Sequence, residues 1–184
     1  MTAIVGLAHG GTVYLGGDSA GVDGYDMRVR ADTKVFRNGP YLFGFTTSFR
    51  MGQLLHYSLT PPAPTGDVHR FMATKFVDAV RECLKAGGWS RKDSDREEGG
   101  TFLVGVAGRL FCVYSDYQIG EGVDGYMAAG CGDQAAMGSL HATAALRVAP
   151  KRRVVMALEA AERFSAGVRS PFHTLTLSAP RKPS

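Results

Sequence analysis

Paired β-rich runs joined by short glycine-containing links constrain the fold of this chain more than any other feature. Residues 2–8 and 12–18 are rich in apolar and β-branched side chains, and only His9-Gly10-Gly11 separates them. Two such runs around a short glycine link predict a β-hairpin. The same pattern recurs at residues 34–45 and at residues 101–114. The sequence therefore predicts antiparallel sheets, with the first strand beginning almost at the start of the chain.

Helical spacing of apolar residues marks the segments between the hairpins. We predict helices at residues 48–58, from a cap at Thr65 or Asp67 to about Ala86, from Asp133 to Leu146, and from Pro150 to about Phe164. Further strands are predicted at residues 125–129 and 172–177, and loops at residues 19–33 and 87–100. This order predicts an α+β fold in which helices enclose two stacked antiparallel sheets. We expect one domain over residues 2–179 and a loose tail at residues 180–184.

Composition excludes several classes of protein. Of the 184 residues, 45% are hydrophobic and 21% are charged, which is typical of a globular chain. We expect neither a membrane span, which needs roughly 20 apolar residues, nor a secretory signal. The basic residues are dispersed despite a net charge of +4, so nucleic acid is not an expected partner. Three cysteines without a CxxC motif favour a reducing compartment, and we predict a cytoplasmic protein.

Three residues near the start of the chain could carry chemistry. Removal of Met1 would make Thr2 the first residue, with a hydroxyl nucleophile and a basic α-amine on one residue. That amine titrates near neutral pH without tuning. Lys34 would favour the neutral amine by charge repulsion, and Asp18 would hold Lys34 in place. The segment Thr46-Thr47-Ser48 follows a strand, and the N–H group of Thr47 or Ser48 is a candidate oxyanion donor.

Four segments resemble the proteasome β-type N-terminal nucleophile (Ntn) hydrolases, and among these the peptidase subunits of the HslV type. The segments are Thr2-Ala3-Ile4-Val5, Gly16-Gly17-Asp18-Ser19, Lys34-Val35 and Gly44-Phe45. Weaker matches follow at Gly130-Cys131-Gly132-Asp133 and Phe172-His173-Thr174-Leu175. The resemblance implies a four-layer αββα sandwich. It also implies a threonine endopeptidase in which Thr2 is the nucleophile and Asp18 and Lys34 form the acid–lysine pair.

The resemblance further implies assembly and partners. Such proteins form homo-oligomeric rings that enclose the active sites, and they usually receive unfolded protein from an ATPase ring. No cofactor or metal is implied. The chain departs from the family at Cys131, which takes the place of a serine near the nucleophile's amine. It also lacks a clear aspartate near the end of the last helix, where Ser165 is the candidate for the proton relay.

Other interpretations of the same residues stay open. Many chains begin Met-Thr, Asp18 could cap a turn, Lys34 could be a surface lysine, and Cys131 could be a small buried residue. Asp23, Asp26 and Asp32 lie in a polar loop, where solvated charge is the default expectation and a part in shaping the substrate groove is the alternative. Two alternative functions remain: a stand-alone Ntn amidohydrolase acting on a small amide, and a non-catalytic structural ring subunit with the same fold.

Overall fold

The computed structural model describes residues 1–93 and 96–180, and it is α+β. In chain order, the strands are β1 (Ile4–His9), β2 (Thr12–Gly17), β3 (Ala20–Asp23), β4 (Asp26–Val29), β5 (Val35–Asn38), β6 (Tyr41–Phe45), β7 (Arg91–Asp93), β8 (Arg96–Glu98), β9 (Phe102–Val106), β10 (Arg109–Val113), β11 (Ile119–Glu121), β12 (Tyr126–Ala129) and β13 (His173–Ser178). The helices are α1 (Phe49–Gln53), α2 (Val68–Phe71), α3 (Val77–Ala86), α4 (Asp133–Ala142) and α5 (Pro150–Phe164).

The strands form two larger sheets and two separate hairpins, and all of their pairings are antiparallel. The first sheet has the order β12-β1-β2-β13, and the second has the order β11-β10-β9-β6-β5. Within the first sheet, β1 and β2 pair from Ile4 opposite Gly17 to His9 opposite Thr12. The three hairpins predicted from glycine links are confirmed as β1–β2, β5–β6 and β9–β10.

Alternation of side chains along the strands sorts the core into three clusters. On β1, Ile4 packs between the two sheets, whereas Val5 and Leu7 face α4 and α5. On β6, Leu42 lies between the sheets, while Phe43 and Phe45 face the helices α1 to α3. Successive residues of a strand point to opposite faces, so β1 and β6 each contribute side chains to the core on both of their faces.

The helices near the middle of the chain confirm the prediction, and two of their turns are π-helical. A π-helical turn at Leu54–Ser58 extends α1, and another at Met72–Phe76 joins α2 to α3. Of the two candidate caps, Asp67 is the one used: its Oδ1 accepts a hydrogen bond of 2.7 Å from the Arg70 N–H. Within the described residues, no helix is long and apolar enough to cross a membrane.

Strand β11 was not predicted, and three other segments differ clearly from the prediction. The presumed loops at residues 19–33 and 87–100 contain the hairpins β3–β4 and β7–β8. All four residues of β4 are exposed, so this strand has no buried apolar face to announce it. Helix α4 ends at Ala142 rather than Leu146. The Arg153 guanidinium donates to the Leu140 carbonyl at 2.7 Å, and the chain beyond continues in tighter turns in which the Leu146 N–H donates to the Thr143 carbonyl. Apart from Pro180, the predicted tail lies outside the described residues.

Candidate active site

Thr2 lies two residues before the start of β1, with only 4% of its surface exposed. The ladder between β1 and β2 continues past its last strand pair, where the Asp18 N–H donates to the Ala3 carbonyl at 3.3 Å. The Lys34 Nζ donates to the Thr2 Oγ1 at 2.8 Å. The two sheets therefore bring residues from three distant points of the sequence to the N-terminal end of β1.

Asp18 is held by four hydrogen bonds and is fully buried. One carboxylate oxygen accepts from the Lys34 Nζ at 2.8 Å and from the Ala3 N–H at 3.0 Å. The other oxygen accepts from the N–H groups of Ala20 at 2.9 Å and Arg169 at 3.2 Å. A carboxylate that accepts from this many donors is fixed in place.

Lys34 directly precedes β5 and is 1% exposed. Its carbonyl accepts from the Phe45 N–H at 3.0 Å, which extends the pairing of β5 with β6 to this residue. Burial lowers the pKa of Lys34 below its ordinary value, and the Asp18 carboxylate opposes that shift. A buried ammonium that touches a hydroxyl can stabilise negative charge on that oxygen.

Cys131 and Ser165 lie behind the backbone nitrogen of Thr2. The Thr2 N–H donates to the Cys131 Sγ at 3.2 Å, and the Ser165 hydroxyl donates to the same sulfur at 3.1 Å. Gly130 has a φ of +106°, and a Cβ added there would lie 2.2 Å from the Thr2 carbonyl oxygen. Only glycine allows this approach, which sets the thiol against the Thr2 nitrogen.

The segment after β6 has one free backbone donor. The Ser48 N–H is already bonded to the Thr46 carbonyl at 2.7 Å, and the Ser48 side chain caps α1. Thr47 has a φ of +61°, and its Oγ1 accepts from the Thr101 N–H at 3.0 Å. Among the described residues, the Thr47 N–H has no hydrogen-bond partner. Of the two predicted oxyanion donors, Thr47 therefore has the available N–H group.

Met1 covers the Thr2 nucleophile in the full chain. The Thr2 hydroxyl donates to the Met1 carbonyl oxygen. Both residues line a small cavity of about 60 Å³ that Phe45, Phe49 and residues 46–48 complete. Because Met1 acylates the Thr2 nitrogen, that nitrogen is an amide and has no lone pair available to accept a proton.

Two pockets flank this cavity, and the sequence interpretation missed their main walls. One has a volume of about 120 Å³ and includes Phe45 and Phe49. The other, of about 320 Å³, lies along the β3–β4 hairpin and again includes Phe49. Aromatic residues at the end of a strand and the start of a helix resemble ordinary core residues in a sequence, so no motif distinguished them.

Comparisons with known proteins support the fold. No protein-family model matches the chain, and no curated protein matches its sequence. Thiobacillus denitrificans BPH in complex with epoxomicin matches with a TM-score of 0.81 at 17% identity, covering 97% of this chain and 100% of that one. The eukaryotic HslV of Trypanosoma brucei matches with a TM-score of 0.71 at 20% identity, covering 96% and 99%.

A third match extends the range of relatives. The Anbu (Gly-1) mutant of Hyphomicrobium sp. strain MC1 has a TM-score of 0.69 at 14% identity, covering 97% of this chain and 82% of that chain. At such identities the likeness shows the fold alone. The chain has the fold of the proteasome-like Ntn hydrolases, and the resemblance predicted from the sequence is confirmed at that level.

Proposed function

We propose that this chain is the peptidase subunit of a self-compartmentalised threonine protease, with Thr2 as its nucleophile after removal of Met1. The observation that carries the proposal is the buried chain of contacts from the Thr2 Oγ1 through the Lys34 Nζ to Asp18. Burying a lysine and an aspartate this deeply costs folding free energy even when the two are paired, so their presence here favours a functional role. Activation of the hydroxyl that they contact supplies one.

Acylation is the first chemical step. Once Met1 is gone, the α-amine of Thr2 takes the hydroxyl proton as the Oγ1 attacks the substrate's carbonyl carbon. The Lys34 ammonium stabilises charge at the Oγ1, and the Thr47 N–H stabilises the oxyanion. The protonated amine then gives its proton to the departing amine, the carbon–nitrogen bond breaks, and an ester on Thr2 remains.

Hydrolysis of the ester completes the cycle. A water molecule gives a proton to the α-amine of Thr2 and attacks the ester carbonyl. The bond between the carbonyl carbon and the Oγ1 then breaks, the protonated amine returns its proton to the Oγ1, and the acid is released. Cys131 and Ser165 act as positioning residues, since the sulfur lies against the nitrogen that serves as base. A thiol is a weaker hydrogen-bonding group than a hydroxyl, so it holds this amine less firmly than a serine would.

Assembly belongs to the same proposal. We infer that the three core clusters stack as a four-layer αββα sandwich and that copies of the chain form a ring around unfolded peptide substrate. Proteins of the HslV type form oligomeric rings, which supports this inference. An ATPase ring would deliver unfolded protein. The three free cysteines fit a reducing compartment, and we propose the cytoplasm.

Peptide hydrolysis by matched variants tests the function. Protein freed of Met1 should cleave fluorogenic peptides, Thr2→Ser should keep measurable turnover, and Thr2→Ala should lower turnover by about 10⁶-fold, the scale found when a nucleophile is removed. Thr, Ser and Ala at position 2 are all small enough to allow removal of Met1. Intact mass confirms that removal for each protein. Equal turnover by Thr2→Ala and the parent protein would refute the nucleophile and favour a different site.

A non-catalytic ring subunit is the second candidate. The thiol at Cys131 favours it, because a thiol is a weaker hydrogen-bonding partner for the proposed base than a hydroxyl. Lack of turnover by protein that has lost Met1 and has assembled would support this alternative.

A further inference from the structure

An aromatic pocket beside Thr2 is the part of the molecule best placed to select substrates. We use this name for the pocket of about 120 Å³ whose walls include Phe36, Phe45, Phe49 and His56 and whose rim carries Asp32. Phe45 and Phe49 also line the cavity that contains Thr2. The substrate side chain nearest the attacked carbonyl is attached to the adjacent Cα, so this neighbouring pocket lies within its reach.

The walls of the aromatic pocket are electrically neutral. Phe36 stacks on His56 with ring centroids 4.3 Å apart, and Phe45 meets Phe49 edge to face at 5.5 Å. Burial lowers the pKa of His56 below its ordinary value, so the imidazole is uncharged at neutral pH. These walls favour an apolar or aromatic side chain over a charged one.

The one carboxylate on the rim is occupied by Arg30. The Arg30 Nε and Nη2 donate to the two Asp32 oxygens at 2.7 and 2.6 Å. The same guanidinium lies 3.8 Å above the centroid of the Phe49 ring. Hydrogen bonding to Arg30 lowers the pKa of Asp32, so its carboxylate is ionised at neutral pH.

Gly21 on β3 leaves room for the Arg30 side chain. A Cβ at position 21 would lie 2.5 Å from the Arg30 Cδ, so a larger residue there would displace the arginine stem from its present position. Arg30 also lines the larger pocket of the hairpin, where Asp23 and Asp26 lie. The pair of Arg30 and Asp32 therefore separates a charged pocket from an aromatic one.

We propose that the Arg30–Asp32 pair makes the aromatic pocket selective for uncharged apolar side chains of peptides, because each residue masks the charge of the other. This inference rests on the proposed function for the position of the bond that is cleaved. Loss of Arg30 leaves a bare carboxylate that attracts a basic side chain. Loss of Asp32 leaves a free guanidinium that attracts an acidic side chain.

Peptide binding to a Thr2→Ala background tests the inference without requiring catalysis. The probes are fluorescein-labelled, capped alanine peptides that carry Leu, Lys or Glu at one position, and the readout is fluorescence anisotropy. We expect the Leu peptide to bind about fivefold more tightly than the other two. Arg30→Met should improve the Lys peptide relative to the Leu peptide by about fivefold, and Asp32→Asn should do the same for the Glu peptide, the scale of an exposed ion pair.

Two control variants separate charge from damage. Arg30→Lys keeps a positive charge beside Asp32, so the Lys peptide should gain nothing. Arg109→Met breaks a comparably exposed ion pair with Glu121 at the β10–β11 edge and should leave all three affinities unchanged. Preference of the background protein for Lys or Glu overturns the inference, and so does an unchanged ranking in both charge variants or a lack of binding by all peptides.

Turnover of the same peptides by protein with Thr2 intact separates this inference from the proposed function. If none is cleaved while the binding preference and its two changes are observed, the peptidase function fails and the pocket's selectivity stands. If the peptides are cleaved without regard to the variable residue, the selectivity fails and the function stands.

Discussion

At the scale of single residues, the site depends on two buried ions of opposite charge. Lys34 and Asp18 are 1% and 0% exposed, and their contact of 2.8 Å compensates for much of the cost of their burial. Desolvation of the ammonium exceeds this compensation, so the pKa of Lys34 lies below its ordinary value. Lys34 therefore loses its proton more readily than a lysine in water.

The pH dependence of peptide turnover follows from this shift. The mechanism needs the charged ammonium, and pH rising through a lowered pKa removes that charge. We expect the alkaline limb of kcat/KM to fall below pH 10.4, the ordinary value for lysine. The measurement is a pH profile of peptide hydrolysis beside that of Lys34→Arg, whose guanidinium stays charged. An identical limb in the variant would assign it to another group.

The sequence could indicate Thr2, Asp18 and Lys34 because the nucleophile's chemistry demands an amine, a cation and an anion at the start of a hairpin fold. Arg30, by contrast, could not be foreseen as a specificity residue. Its role depends on a bidentate contact with Asp32 and on the position of Phe49, which only the packed structure supplies. For the same reason, the sequence could not decide whether Asp32 is a solvated charge or a part of the substrate groove.

At the scale of elements, strands with one buried face were predictable and exposed strands were not. Glycine links and alternating apolar residues predicted the hairpins β1–β2, β5–β6 and β9–β10. The β3–β4 hairpin lacks that signal because β4 is exposed throughout. This hairpin nevertheless forms one wall of the larger pocket beside the Thr2 cavity. Functional walls of this kind need not contribute to the core, so hydrophobic periodicity does not reveal them.

The turn between β12 and α4 offers a test of how elements position the site. Gly130→Ala would force a Cβ to within 2.2 Å of the Thr2 carbonyl at a positive φ. We expect it to cost about 1–3 kcal/mol in unfolding free energy and to reduce peptide turnover at least tenfold. Urea denaturation and peptide hydrolysis measure the two effects.

Gly138→Ala in α4 is the matched control for this substitution. No atom lies within 4 Å of the added Cβ, so the change should stabilise the helix by about 0.5–1 kcal/mol and leave turnover unchanged. Equal effects of the two substitutions would show that the Gly130 turn has no special part in the site.

At the scale of the whole molecule, the proposed protease requires copies of the chain to assemble into a ring. One subunit has a mass of 19.7 kDa, and a ring of several copies would have a mass several times larger. We expect size-exclusion chromatography with light scattering to show one large species for the parent protein and for Thr2→Ala alike. A monomer that still hydrolyses small amides would favour the stand-alone amidohydrolase instead.

The chemical state of Thr2 shows whether this residue is the nucleophile and the base. Peptide epoxyketones such as epoxomicin, which is bound to a structure of the same fold, capture a free N-terminal threonine through its hydroxyl and amine. The measurement is the intact mass of the protein after incubation with epoxomicin, beside that of Thr2→Ala. We predict loss of Met1 and a single adduct that is absent from the variant. Retained Met1, or an adduct equally abundant on Thr2→Ala, would contradict the role of Thr2 as nucleophile and base.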